Sequence, residues 1–157
     1  ACVAGIKKLQ VRSLESMDMD RLTKQLSLMN DIKDAYTETE FAHPDLEYWR
    51  DLLTAWGRMS ITLKMQDQFT ESLPNGRFSI FRGGTPDGFS WTLDRKHAIW
   101  FASRFKAVGR IDDVYQLTVL KDDVLWYNDD RNEKEVVLFP DTSKVMKIMS
   151  REEIING

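Results

Sequence analysis

Three short segments in the second half of the chain carry the side chains with the most chemistry to offer. They are Phe81-Arg82-Gly83-Gly84, Phe89-Ser90-Trp91-Thr92 and Glu133-Lys134-Glu135, the last running into the apolar stretch Val136-Val137-Leu138-Phe139-Pro140. An arginine at the end of an apolar strand can grip a phosphate through two parallel N–H bonds, while glycines let the backbone bend tightly beside it. Arg82 with Gly83 fits that use, but taken alone it is better read as a surface arginine ahead of a hairpin turn. Ser90 and Thr92 stand at i and i+2, so on a strand they share a face and could orient a carboxylate or a ribose hydroxyl. The competing use of Thr92 is to cap a helix starting near Asp94. Glu133 and Glu135 share a face if the backbone there is extended. Two carboxylates so placed repel, and burial would raise a pKa. One could stabilise a cationic transition state while the other orients or deprotonates a nucleophile. The competing reading is a solvated charged turn, because Asp129-Asp130-Arg131-Asn132 comes just before. Gathered in one cleft, the set suits an anionic nucleotide substrate and a reaction that builds positive charge on a sugar.

The elements that must position these residues are legible as periodicities. Leu22, Leu26, Met29 and Ile32 recur at helical spacing and predict a helix from about Asp18 to Tyr36, with Asp18 and Asp20 as its N-terminal acids. Pro44, after His43, suits the first turn of a second helix, where Leu46, Trp49, Leu53 and Trp56 share a face and Gly57 weakens the far end. Leu73-Pro74-Asn75-Gly76 is a turn signal. After it come short strand candidates at Phe78–Phe81, Gly88–Thr92, Val114–Leu120, Val124–Tyr127, Glu135–Phe139 and Lys144–Met149. One helix interrupts them over Asp94–Phe105, where Ala98, Phe101, Ala102 and Phe105 form the apolar stripe. Trp91 is expected in the core on the face opposite Ser90 and Thr92, and Trp49, Trp56, Trp100 and Trp126 are further core candidates. Helices first and strands after predict a single α+β domain over 1–157, with a helical part at 1–72 and a β-rich part at 73–157.

Composition narrows the classes. The chain has 157 residues and a net charge of −3, from 22 basic and 25 acidic side chains. That balance gives no nucleic-acid footprint, so no nucleic-acid partner is expected, although a local basic patch is compatible with it. Cys2 is the one cysteine, which leaves no intramolecular disulfide and no multi-cysteine zinc site. His43 and His97 lie 54 residues apart with no ligand motif around them, and the acidic pairs lack calcium-loop spacing, so no metal is expected. No Gly-rich phosphate loop of either common pattern occurs. Apolar runs are too short for a membrane span and the start lacks signal-peptide character. With no disulfide, a reducing, cytoplasmic setting is the expectation.

The order and flanks of the three segments resemble the arginine–serine–glutamate branch of the ADP-ribosyltransferase superfamily, over about residues 76 to 149. Phe81-Arg82-Gly83 resembles that family's first-strand arginine. Phe89-Ser90-Trp91-Thr92-Leu93, followed by Phe101-Ala102, resembles its Ser-Thr-Ser strand leading into a helix that ends in an aromatic-Ala pair. Glu133-Lys134-Glu135 with the following strand resembles its Glu-x-Glu loop. The resemblance implies a mixed, mainly antiparallel split β-sheet core behind N-terminal helices, with NAD as substrate. Arg82, Gly83, Ser90 and Thr92 would bind NAD, Glu135 would be the catalytic glutamate and Glu133 would position the acceptor. Two carboxylates in place of Gln-x-Glu resemble the arginine-modifying members and imply a protein acceptor modified on arginine, while the resemblance as a whole implies a toxin-like or viral effector-like setting in a host cell. Trp91 departs from the family's threonine. A non-catalytic interaction or inhibitor protein and an NAD glycohydrolase are the alternatives on the same fold.

Overall fold

The computed structural model describes residues 2–39, 45–129 and 132–156, with side chains described from residue 19 onward. The helix entrance expected at His43-Pro44 therefore lies outside the described residues, as do Asp130 and Arg131 of the charged turn. The chain divides into two compact units, residues 1–59 and 60–157, so the change of character near residue 73 falls inside the second.

The first unit is helical. Helix α1 (Cys2–Glu38) begins sixteen residues before the predicted start, so Asp18 and Asp20 are not in its first turn. Helix α2 (Leu46–Thr62) runs past Gly57 without breaking. The predicted stripes do the packing: Met29, Ile32 and Tyr36 are buried on α1, and Trp49, Leu53 and Trp56 on α2. The Trp56 indole Nε1 donates to the Met29 carbonyl at 3.1 Å, and the Trp49 and Tyr36 rings meet edge to face at 5.2 Å. Each such large apolar side chain contributes about 1.5–3 kcal/mol on burial, which is how the two helices hold together although Met19, Leu28 and Tyr48 stay exposed.

The second unit takes in the last residues of α2, from Ser60, and then a short helix, α3 (Gln66–Thr70), that the apolar spacing did not signal. Then come strands β1 (Phe78–Gly84) and β2 (Ser90–Thr92), helix α4 (Arg95–Ser103), strands β3 (Asp113–Val119), β4 (Val124–Asn128), β5 (Glu135–Leu138) and β6 (Met146–Met149), and helix α5 (Arg151–Asn156). Each predicted strand is present within a few residues. The class is α+β as expected. The strands form one six-stranded sheet in the order β4-β5-β2-β1-β3-β6, antiparallel in every registered pair. The mixed and split character expected from the resemblance is not what the registered pairs show.

Alternation sorts the sheet into two faces. Ile80, Trp91, Leu117, Val136 and Leu138 fill one core with Leu73, Phe78, Val119 and Val124. On the other face Phe81 and Val114 pack beneath Ala98 and Ala102 of α4, joined by Ile148, Met149 and Ile154. Helix α4 is capped by Asp94, whose side chain accepts from the Lys96 amide. Helix α5 starts with a reciprocal cap: the Glu153 amide donates to Ser150 Oγ at 3.2 Å, and Ser150 Oγ donates to the Glu153 carboxylate at 3.3 Å. Its first residue also ties to the sheet, because the Arg151 amide donates to Asp113 Oδ1 at 2.8 Å.

Candidate functional site

Strand β1 ends at two glycines with different duties. Gly84 has φ of 143°, a conformation that L side chains rarely adopt. Gly83 faces α4: a Cβ there would overlap the Ala98 carbonyl oxygen and stand 2.6 Å from the Ala102 amide nitrogen. What the structure gives Gly83 is therefore close helix–strand packing.

Beyond them the Thr85-Pro86-Asp87-Gly88 turn returns the chain to β2. Arg82 holds that turn from inside. Its Nε donates to the Thr85 carbonyl at 2.8 Å and its Nη1 to the Ser90 carbonyl at 2.9 Å. Its guanidinium lies where a Gly88 side chain would otherwise start. The Trp91 indole Nε1 donates to the Gly88 carbonyl at 2.8 Å. Trp91 itself is 2% exposed and packs with the core face, as expected from its position between Ser90 and Thr92.

Thr92 joins β2 to the glutamate segment. Buried at 5% exposure, its Oγ1 donates to the Glu133 carbonyl at 2.8 Å and accepts from the Asp94 amide at 3.1 Å. One residue on, the Leu93 amide donates to the Lys134 carbonyl at 3.2 Å. The helix cap is Asp94 and not Thr92. Thr92 ties the start of that cap to the segment carrying both glutamates.

That segment is not extended. Lys134 has φ of 49° and Asn132 has φ of 55°, left-handed backbone that asparagine adopts readily but that costs a lysine about 1 kcal/mol or more. The premise that Glu133 and Glu135 share a strand face therefore fails: Glu135 is the first residue of β5, and Glu133 lies before a reversal at Lys134. Both side chains are partly exposed.

Register fixes the wider geometry. Glu135 is opposite Thr92, Thr92 opposite Phe81, Phe81 opposite Gln116, and Gln116 opposite Met146, one row across five strands. Arg82 follows Phe81, so it leaves β1 on the other face, opposite Tyr115. Strand β2 separates β1 from β5, so the backbones carrying Arg82 and Glu135 are two strand spacings apart, roughly 9–10 Å. The structure thus joins Arg82 to Ser90 and Thr92 to Glu133, with Glu135 beside Thr92, and β2 links the two groups.

Sequence reasoning passed over three residues here. Gly88 was signalled by the Pro-Asp-Gly turn. Thr85 Oγ1 is buried without a hydrogen-bond partner among the described residues, next to the Arg82 contact. The Tyr115 hydroxyl is 3.5 Å from Asp113 Oδ2, and burial together with the Asp113 charge raises its pKa, so it is a protonated phenol at neutral pH.

One expectation about α4 is corrected. Trp100 is 55% exposed and not core. It lies off the Ala98–Ala102 stripe that faces the sheet. His97 is half-buried: it stacks on Trp100 with ring centroids 5.7 Å apart and meets Phe101 edge-on at 4.8 Å.

A separate concavity of about 340 Å³ is lined by residues that include Arg77, Gln116, Thr118, Lys144 and Met146, and it contains none of the sequence-predicted site residues. Among the described residues no cluster of His, Cys, Asp or Glu could hold a metal ion, and no helix is long and apolar enough to cross a membrane. Comparison of the chain with protein-family models, with curated proteins and with solved structures finds no match.

Proposed function

We propose that the chain is a mono-ADP-ribosyltransferase, which splits NAD at its nicotinamide–ribose bond and transfers ADP-ribose to an arginine of a protein acceptor. The observation that carries this reading is the neighbourhood of β5, β2 and β1. Motifs as far apart in sequence as Arg82 and Glu135 lie on three neighbouring strands with β2 between β1 and β5, which brings them to one region of the sheet, Arg82 reaching it from the opposite face through the Ser90 carbonyl.

In this reading Arg82 and Ser90 hold the phosphate and ribose end of NAD at the β1–β2 turn. The Glu135 carboxylate accepts a hydrogen bond from the nicotinamide ribose. As the C–N bond lengthens, the bonding pair leaves with neutral nicotinamide, and the anomeric carbon gains oxocarbenium character that Glu135 stabilises electrostatically. Glu133 pairs with the acceptor guanidinium and orients it. The guanidinium nitrogen attacks the anomeric carbon and its proton passes to a carboxylate or solvent.

One observation favours the non-catalytic alternative. Arg82 and Thr92 each hold backbone carbonyls in place, which is structural work that a protein using this fold only for interaction would also need. Calorimetry with NAD separates the two, since a binding-competent site gives heat and raises the unfolding midpoint. The catalytic assay supplies NAD with a small guanidine such as agmatine and follows nicotinamide and ADP-ribosyl-guanidine by mass spectrometry. Nicotinamide release without product points to water as acceptor. Glu133→Gln is expected to reduce transfer more than hydrolysis, and equal loss of both counts against the division of roles.

A further inference from the structure

The outer side of α4 concentrates positive charge and flat rings. Between residues 95 and 110 there are five cations and no carboxylate, in a chain whose net charge is −3. Helical spacing puts Lys96, Trp100 and Arg104 on one face at i, i+4 and i+8, opposite Ala98 and Ala102, which are buried against the sheet. The rings are already stacked as a platform: His97 on Trp100 at an interplanar angle of 16°, with Trp100 edge-on to Phe101. The Arg104 guanidinium lies 4.8 Å from the Phe101 ring centre and 4.7 Å from that of Phe105. Lys106 and Arg110 are exposed just past the helix, where Arg110 stands 3.9 Å from Asp112.

We propose that this face binds single-stranded nucleic acid. Two independent features match that ligand. Cations spaced along and beyond the helix complement a phosphate backbone, and a half-exposed indole backed by a second ring offers the stacking surface that unpaired bases use whatever their sequence. An acidic protein surface would match the charge and leave the exposed indole unexplained. Duplex would match the charge, but its bases are already stacked. The overall acidity of the chain conceals the patch because the surrounding segments carry the carboxylates.

The test is fluorescence anisotropy of the full chain with a labelled twelve-nucleotide oligo-dT, between 50 and 200 mM salt. If three to five phosphates are engaged, affinity falls roughly 10- to 100-fold across that range. Trp100→Ala is expected to weaken binding at least fivefold through lost stacking, with only a small fall in the urea midpoint, because more than half of the residue is exposed. Lys96→Glu with Lys106→Glu is expected to abolish the salt dependence together with the binding. Glu135→Gln is expected to bind as wild type, so the result is independent of the proposed transferase site. The proposal is overturned if wild type fails to bind at 50 mM salt, or if the duplex competes as well as the single strand. It is also overturned if a polyglutamate peptide binds equally and Trp100→Ala leaves oligonucleotide affinity unchanged, which would make the face a dock for an acidic protein.

Discussion

Replacing Gly83 with alanine tests how α4 is seated over the strand that carries Arg82. The new Cβ would overlap the Ala98 carbonyl oxygen, stand 2.6 Å from the Ala102 nitrogen and 2.9 Å from the Ala102 Cβ. Ordinary contact is about 3.5–4.0 Å, so α4 and β1 must separate by roughly 1 Å. Two of the three obstructing atoms are backbone, and no rotamer change moves them aside. Separation loosens the small cluster of Ala98, Ala102 and Val114, and overpacking of this kind costs about 1–3 kcal/mol, with backbone obstruction placing it at the upper end. For a unit of this size about 3 kcal/mol corresponds to a fall of roughly 10–20 °C in the unfolding midpoint. The assay is urea denaturation with far-UV circular dichroism, and Gly76→Ala is the control. Gly76 has open space around it but φ of 75°, so it isolates the backbone cost of about 1–2 kcal/mol. If Gly83→Ala unfolds within 0.5 kcal/mol of wild type, the close approach of α4 to β1 is wrong.

Thr92→Val keeps the shape and removes the hydroxyl that bridges the Glu133 carbonyl and the Asp94 amide. A loss of about 1–3 kcal/mol is expected in urea titration, and a neutral result would remove Thr92 as the tie to the glutamate segment. At Lys134, with φ of 49°, Lys134→Gly is expected to be at least as stable as wild type, whereas Lys134→Val should lose about 1 kcal/mol or more, since left-handed backbone penalises a β-branched residue. The reverse ranking would contradict the left-handed turn. Burial acts to raise the Asp113 pKa, but the Arg151 amide and the Lys147 ammonium, 3.3 Å away, outweigh it and hold the carboxyl below its ordinary value. Because the folded pKa is depressed, its contribution to stability is present above about pH 4 and is lost as pH falls through the lowered value. Urea midpoints at pH 6 and pH 3 should therefore differ less in Asp113→Asn than in wild type.

Much of the fold was legible because the apolar residues keep time. Of the stripes on α1 and α2, Met29, Ile32, Trp49, Leu53 and Trp56 are buried while Leu22, Leu26 and Leu46 are only half-buried, and each strand expected from alternation is present. Helix α5 was missed although Ser150 and Glu153 spell a capping box, because its short apolar content gives no period. The start of α1 was missed for the same reason: the stripe read from the sequence begins only at Leu22. Trp100 was misplaced by hydrophobicity alone, when its own position off the Ala98–Ala102 stripe already put it outside. The candidate site was legible as three segments but not as an arrangement. Strand order is a tertiary property, and nothing in Glu133-Lys134-Glu135 announces that a lysine will take a left-handed conformation. That turn is held from outside by Thr92 and Leu93, and the local sequence shows neither bond.

The central claim is that Glu135 drives cleavage of NAD at a site shared with Arg82 and Ser90. The direct measurement is nicotinamide release from NAD by wild type and by Glu135→Gln, at matched protein stability and NAD occupancy. Removing one preorganised charge from a developing cation is expected to lower the rate roughly 100- to 1,000-fold, with NAD binding and the unfolding midpoint retained. Equal rates in the two proteins, or no nicotinamide from wild type, would contradict the account.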